Sequence, residues 1–285
     1  DAITTGSNNA SLGHLSLSAN TTGGSNVALG AYALYSNTTA SDNTAVGKNA
    51  LFVNTTGADN VALGASSLDA NTTGASNTGI GRSALGANTT GTGNTAVGAT
   101  ALDAATTASY NVAIGLSALS ADTLGAHAVA IGAGALSRQN FTSATNNYNI
   151  GIGYDAGLNV TTGIQNTLIG GLAGDALTTG SYNISIGYKA LSSDTLGNRS
   201  VAIGREALLN QNFTSSTENY NVAVGYAAGL AVTTGTNNTL IGGLSGDAIT
   251  TATNNTAVGY TSLGANTTGS SNVSVGSGAL GANTT

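Results

Sequence analysis

The chain has 285 residues, of which 42 are Gly and none is Pro, Cys, Met or Trp; only 6% are charged, and the formal net charge is −6. A hydrophobic content of 40% excludes a disordered chain, which is charge-rich and poor in aliphatics, and Gly, Asn or Thr interrupts every apolar run well short of the ~20 residues of a membrane span. The six basic residues, Lys48, Arg82, Arg138, Lys189, Arg199 and Arg205, are scattered, so there is no electropositive track for a nucleic-acid backbone.

From the N-terminus onward the dominant signal is self-similarity. An aliphatic residue followed by Gly recurs at Gly13, Gly30, Gly47, Gly64, Gly81, Gly98, Gly115 and Gly132, and then at Gly153, Gly170, Gly187, Gly204, Gly225, Gly242, Gly259 and Gly276. The interval is 17 residues except for two of 21. Four residues before the Gly stands Asn in fourteen of the sixteen units, with Ala128 and Ser200 as the exceptions. Three residues after the Gly stands Ala or Ser in every unit, and four after it Leu in twelve.

Within one unit, Asn26 to Leu29 alternates in the strand manner, placing Val27 and Leu29 on one side and Asn26 and Ala28 on the other. Gly30 then supplies a turn with positive φ, and Asn37-Thr38-Thr39 opens a second corner of residues that favour turns. Such a coil cannot fold alone. Ordering it costs roughly 1–2 kcal/mol per residue, whereas each buried aliphatic side chain returns roughly 1.5–3 kcal/mol. Stacked neighbours must supply the rest, which predicts an all-β parallel β-solenoid of about sixteen coils, spaced ~4.8 Å and forming a rod roughly 75–80 Å long.

Like residues then form rows along the axis. The Asn row (Asn26, Asn43, Asn60, Asn77, Asn94, Asn111) is expected to stack amide on amide and to bond the corner backbone. The aliphatic row (Leu29, Val46, Leu63) and the glycine row (Gly30, Gly47, Gly64) complete the structural ladder. Ala or Ser at the third position after the Gly reads as an outer face kept small for the close approach of a second chain, which predicts a homo-oligomer.

Further along, four extra residues enter between Ser137 and Tyr148 and again between Leu209 and Tyr220. The segments 137–148 and 209–220 are expected to leave the stack as loops. Asn140, Phe141, Thr142, Asn212, Phe213 and Thr214 are the candidate contact residues there, with the alternative, which the reading favours for Phe141 and Phe213, that each Phe folds back over a solenoid face. The two insertions belong to a 72-residue super-repeat, 125–196 and 197–268, inside a single array over 1–285. Tyrosines after the Gly (Tyr154, Tyr188, Tyr226, Tyr260) and five before it (Tyr110, Tyr148, Tyr182, Tyr220) line two edges, covering the corners or offering rings to a glycan.

Catalytic chemistry finds no foothold. His14 and His127 sit in different units without a carboxylate at a recurring distance, and Asp42, Asp59, Asp69, Asp103, Asp122 and Asp194 read as solubilising turn residues. No cofactor is signalled; a Ca²⁺ ion at the Asp175 or Asp247 turn is the weak exception. The Asn-x-Ser/Thr triplets at Asn20, Asn37, Asn54, Asn71, Asn88, Asn140, Asn212 and Asn266 are formal glycosylation acceptors in a composition that produces them anyway. With no initiator Met and no leader, the chain reads as a piece of a longer protein.

The units Asn43-Thr44-Ala45-Val46-Gly47, Asn94-Thr95-Ala96-Val97-Gly98 and Asn255-Thr256-Ala257-Val258-Gly259, each followed by Ala-Leu or Ser-Leu, resemble the head repeats of trimeric autotransporter adhesins and the related arrays of tail-fibre-like surface proteins. The resemblance covers the whole chain. It implies a left-handed parallel β-roll wound as a homotrimer, displayed outside the cell or on a virion, and attaching to surface glycans or matrix. The expectation is therefore a non-enzymatic structural segment of an extracellular fibre or adhesin. Its alternatives are a phage tail-fibre shaft and an ice-binding solenoid that uses the Thr21-Thr22, Thr38-Thr39, Thr55-Thr56 and Thr72-Thr73 pairs as a lattice.

Overall fold

A computed structural model describes residues 5–285, which hold twenty short strands and no helix. The chain divides into two compact units, one ending at Asn147 and the other beginning at Tyr148. In the first unit the strands are β1 (Ala10–Leu12), β2 (Val27–Leu29), β3 (Thr44–Val46), β4 (Val61–Leu63), β5 (Thr78–Ile80), β6 (Thr95–Val97), β7 (Val112–Ile114), β8 (Gly125–Ala126), β9 (Val129–Ile131) and β10 (Thr145–Asn146). In the second they are β11 (Ile150–Ile152), β12 (Thr167–Ile169), β13 (Ile184–Ile186), β14 (Gly197–Asn198), β15 (Val201–Ile203), β16 (Thr217–Glu218), β17 (Val222–Val224), β18 (Thr239–Ile241), β19 (Thr256–Val258) and β20 (Val273–Val275).

The three-residue strands stack in parallel, one per coil, and the register is the sequence period. Val27 faces Thr44, Ala28 faces Ala45 and Leu29 faces Val46, and the same offset of 17 repeats to β9. The second unit repeats the pattern from β11 to β20, with the longer offset only where an insertion intervenes between β15 and β17. Eight coils in each unit make sixteen, a parallel β-solenoid as the repeat predicts. Backbone groups bond both ways along the stack: Val27 N–H donates to Asn43 C=O at 2.8 Å, and Gly30 N–H to Leu12 C=O at 2.9 Å.

The corner Gly has φ between +128° and +149° in every coil, a backbone that L side chains rarely adopt and only with strain. At Gly64 a Cβ would also stand 2.5 Å from the carbonyl oxygen of Gly81 below it, so this row is Gly for space as well as for angle. More unusual is the Leu four residues on. Leu34, Leu51, Leu68, Leu85, Leu102 and Leu119 adopt φ of 50–54°, the left-handed region, and are completely buried. That conformation costs a residue roughly 1–2 kcal/mol, which full burial of a leucine, worth roughly 1.5–3 kcal/mol, offsets.

The core of a coil is narrow, and its filling settles which side of the strand faces inward and corrects one expectation. Asn26 and Ala28 point inward and are buried, while Val27 and Leu29 on the other side of the strand are 39% and 43% exposed. The aliphatic row of Leu29, Val46 and Leu63 is therefore an outer row, and the interior ladder is made of Ala and Asn. The buried amide decides the sidedness, because Asn26 must reach inward to donate from Nδ2 to Ala40 C=O at 2.9 Å. The small residue three after the Gly (Ala33, Ala50, Ser67, Ala84) is also interior and fully buried, so it is small because the coil is thin and does not mark the approach of a second chain.

Four coils of the second unit fill the same space differently. Gly157, Gly174, Gly229 and Gly246 replace the left-handed Leu, and three residues later Val160, Leu177, Val232 and Ile249 replace a polar side chain. At Gly174 a Cβ would fall 2.7 Å from Leu168 Cδ2 and 3.0 Å from Leu177 Cδ1, so the aliphatic volume has moved to another wall of the coil rather than been lost.

Candidate functional site

Three features stand out from the plain repeat: the outward strand face, the insertions with the tyrosine edge beside them, and a set of buried polar side chains. The outward face carries two residues per coil, Thr, Val or Ile at the first strand position (Ala10 in β1) and Val, Ile or Leu at the third, and holds no charged residue. In the fifteen three-residue strands from β2 onward it is exposed or half-buried throughout, with Val61 at 37%, Leu63 at 45% and Ile241 at 40%. A contiguous apolar surface of this kind is a common mark of an interaction face.

The insertions do not project as simple loops. Phe141 and Phe213 are each only 5% exposed, so of the two readings each Phe folds back over the solenoid and is not a contact point. Their backbone is tied inward: Phe141 N–H donates to Asp122 Oδ1 at 3.1 Å and Phe213 N–H to Asp194 Oδ1 at 3.2 Å. Thr142 and Thr214 remain exposed, as does Asn212, whereas Asn140 is half-buried. Asn140 Oδ1 accepts from Thr123 Oγ1 at 3.0 Å, and Asn212 Oδ1 from Thr195 Oγ1 at 3.1 Å. Beyond the Phe, β10 pairs with β8 and β16 with β14, so each insertion closes on an extra two-stranded ladder at the corner.

Asp122 and Asp194 are a second correction, for both are fully buried rather than solubilising. Each sits seven residues after the corner Gly, the position held by Asn in plain coils, and each is followed one coil later by a Gln. Gln139 Nε2 donates to Asp122 Oδ2 at 2.6 Å, Gln211 Nε2 to Asp194 Oδ2 at 2.7 Å, and Gly125 and Gly197 N–H to the other oxygen at 3.0 Å. Burial raises both carboxyls above the usual range, and the donors only partly oppose it. The signal was present in the sequence, since Asp122 and Gln139 lie one period apart and recur 72 residues on as Asp194 and Gln211.

Two amide rows run through the first unit. In the row that includes Asn26, Asn43, Asn60, Asn77, Asn94 and Asn111, each Oδ1 accepts the backbone N–H one coil on, as from Asn43 N–H to Asn26 at 3.0 Å. In the second row, Asn37 Nδ2 donates to Asn20 Oδ1 at 2.9 Å and Asn54 Nδ2 to Asn37 Oδ1 at 3.1 Å. Asn20, Asn37, Asn54, Asn71, Asn88 and Asn266 are all fully buried, so these glycosylation triplets hold structural amides. The second row stops at Asn88, whose Oδ1 has no hydrogen-bond partner, because Ala105 stands where the next Asn would donate.

The tyrosine edges are exposed: Tyr110 and Tyr260 each reach 60%, Tyr154 64% and Tyr220 49%. His14 meets Tyr32 edge-on at 5.2 Å, and His127 stacks on Tyr110 at 5.3 Å with planes 7° apart. Among the described residues no three His, Cys, Asp or Glu side chains group as a metal site, and Asp175 and Asp247 lie in separate coils. No protein-family profile, curated protein or solved structure matches the chain.

Proposed function

We propose that this chain is a structural segment of an extracellular fibre or adhesin, non-catalytic, in which solenoids associate side by side along their outward strand faces. The observation that carries the reading is the uncharged Thr/Val/Ile–x–Val/Ile/Leu face, repeated coil after coil and left in solvent by the chain itself. A second copy presents the same spacing of ~4.8 Å, so rows of one copy can match rows of another along a whole unit. A homotrimer of left-handed rolls, displayed at a cell or virion surface and touching glycans or matrix, is the assembly that the repeat resemblance suggests. A phage tail-fibre shaft would use the same face in the same way.

An ice-binding role draws less support. The first Thr of each corner pair spends its hydroxyl inside the stack, as Thr21 Oγ1 does on Thr38 C=O at 3.0 Å and Thr72 Oγ1 on Thr89 C=O at 3.0 Å. Only the second Thr of each pair is left as an exposed row. Sedimentation equilibrium tests the structural reading. A mass of three times the 27.4 kDa chain is expected at micromolar concentration, and a strictly monomeric chain would overturn self-association.

A further inference from the structure

The two super-repeats place the same corner beside each insertion, and the two corners have diverged. In the first unit an open groove of about 310 Å³ lies between the β8 corner and the insertion strand β10, lined by Ser109, Tyr110, Ala126, His127, Thr145 and Asn146 among others. Its aromatic wall is the Tyr110–His127 stack, with centroids 5.3 Å apart. In the second unit the residues 72 positions later are Tyr182, Arg199 and Glu218. There the Arg199 guanidinium lies 4.8 Å from the Tyr182 ring centroid, and its Nε reaches Glu218 Oε1 at 3.2 Å, spanning the corner from β14 to β16. His127 and Asn146 stand at these two places in the first unit.

We infer that the groove between β8 and β10 is a binding site for a neutral pyranose ring, and that the Arg199–Glu218 pair occupies the corresponding place in the second unit. The chemistry follows from the lining. A stacked aromatic wall offers apolar contact to the C–H groups of a sugar ring, while Ser109, Thr145 and Asn146 offer hydroxyl and amide partners for its hydroxyls. The lining contains no Lys, Arg, Asp or Glu, which suits an uncharged ligand over a phosphate, a sialic acid or a basic peptide. Its volume is at the small end of ligand pockets, and both walls are short strands held by parallel pairing to each other.

The inference deepens the attachment role proposed above by naming the ligand class and the place, and it rests on that reading only for its biological use. The test is saturation-transfer NMR with the methyl glycosides of glucose, galactose, mannose and N-acetylglucosamine. At least one is expected to bind the whole chain, with affinity reduced tenfold or more in Tyr110→Ala and in the double variant His127→Arg/Asn146→Glu, which imports the pair of the second unit. The reverse double variant, Arg199→His/Glu218→Asn, is expected to add a second site per chain. Absence of binding by all four glycosides, or binding unchanged in both groove variants, would overturn the inference. Unaltered melting temperatures exclude misfolding as the cause of a loss. Sedimentation of the same samples separates the two readings: a trimer that binds no sugar defeats only the groove, and a sugar-binding monomer defeats only the assembly.

Discussion

A leucine in the left-handed region is a poor local choice repeated along the chain, and it persists because of what surrounds it. Leu68 is completely buried at φ 52°, and its burial outweighs the backbone cost only while the side chain is large. Leu68→Ala keeps the unfavourable φ and loses the packing, so it should lower unfolding free energy in urea by about 2–5 kcal/mol. The amide row offers a polar counterpart. Asn54 donates to Gly57 C=O at 2.9 Å and to Asn37, and it accepts from Asn71 Nδ2 at 2.8 Å. Asn54→Ala should cost about 2–3 kcal/mol in the same measurement, because buried groups on both adjacent coils lose partners at once.

At the scale of the coil, the sequence made the period, the parallel stacking and the amide rows legible, because each depends on one residue type recurring at one spacing. Sidedness was not legible. Alternation divides Asn26 and Ala28 from Val27 and Leu29, yet hydrophobicity alone favours burying the second pair; the hydrogen bonds of the Asn side chain turn the strand the other way. The insertions were legible by their position, but the choice between a projecting and a folded-back Phe was not: Phe141 folds back over the coil, where Asp122 Oδ1 accepts its backbone N–H.

That carboxylate gives the insertion a pH signature. Asp122 and Asp194 have folded pKa values raised by burial, so over that range the folded chain holds protons that the unfolded chain releases. Stability is then present at acid pH and falls as pH rises through the raised pKa values. Asp69, Asp103, Asp175 and Asp247 shift in the same direction for the same cause, while the exposed Glu218 shifts the other way through Tyr220 and Arg199. The melting temperature should therefore be higher near ~pH 4 than near ~pH 7. Asp122→Asn/Asp194→Asn, which installs the residue most plain coils use, should flatten this dependence. A melting temperature that rises steadily toward neutral pH in the natural chain would contradict the assignment.

For the molecule as a whole, the proposed self-association would use a different set of residues from those that hold the fold. Interior Ala, Leu and Asn hold each unit together, and the outward row of Leu29, Val46, Leu63 and Ile80 is exposed or half-buried. Substitutions on that row should therefore leave the fold intact and act on assembly alone. The most direct test is the sedimentation-equilibrium mass of Leu63→Lys/Ile80→Lys beside the unaltered chain, with circular dichroism confirming the same β content. A trimeric mass for the natural chain that falls to a single chain in the variant is the predicted result; an identical mass for both would contradict association through this face.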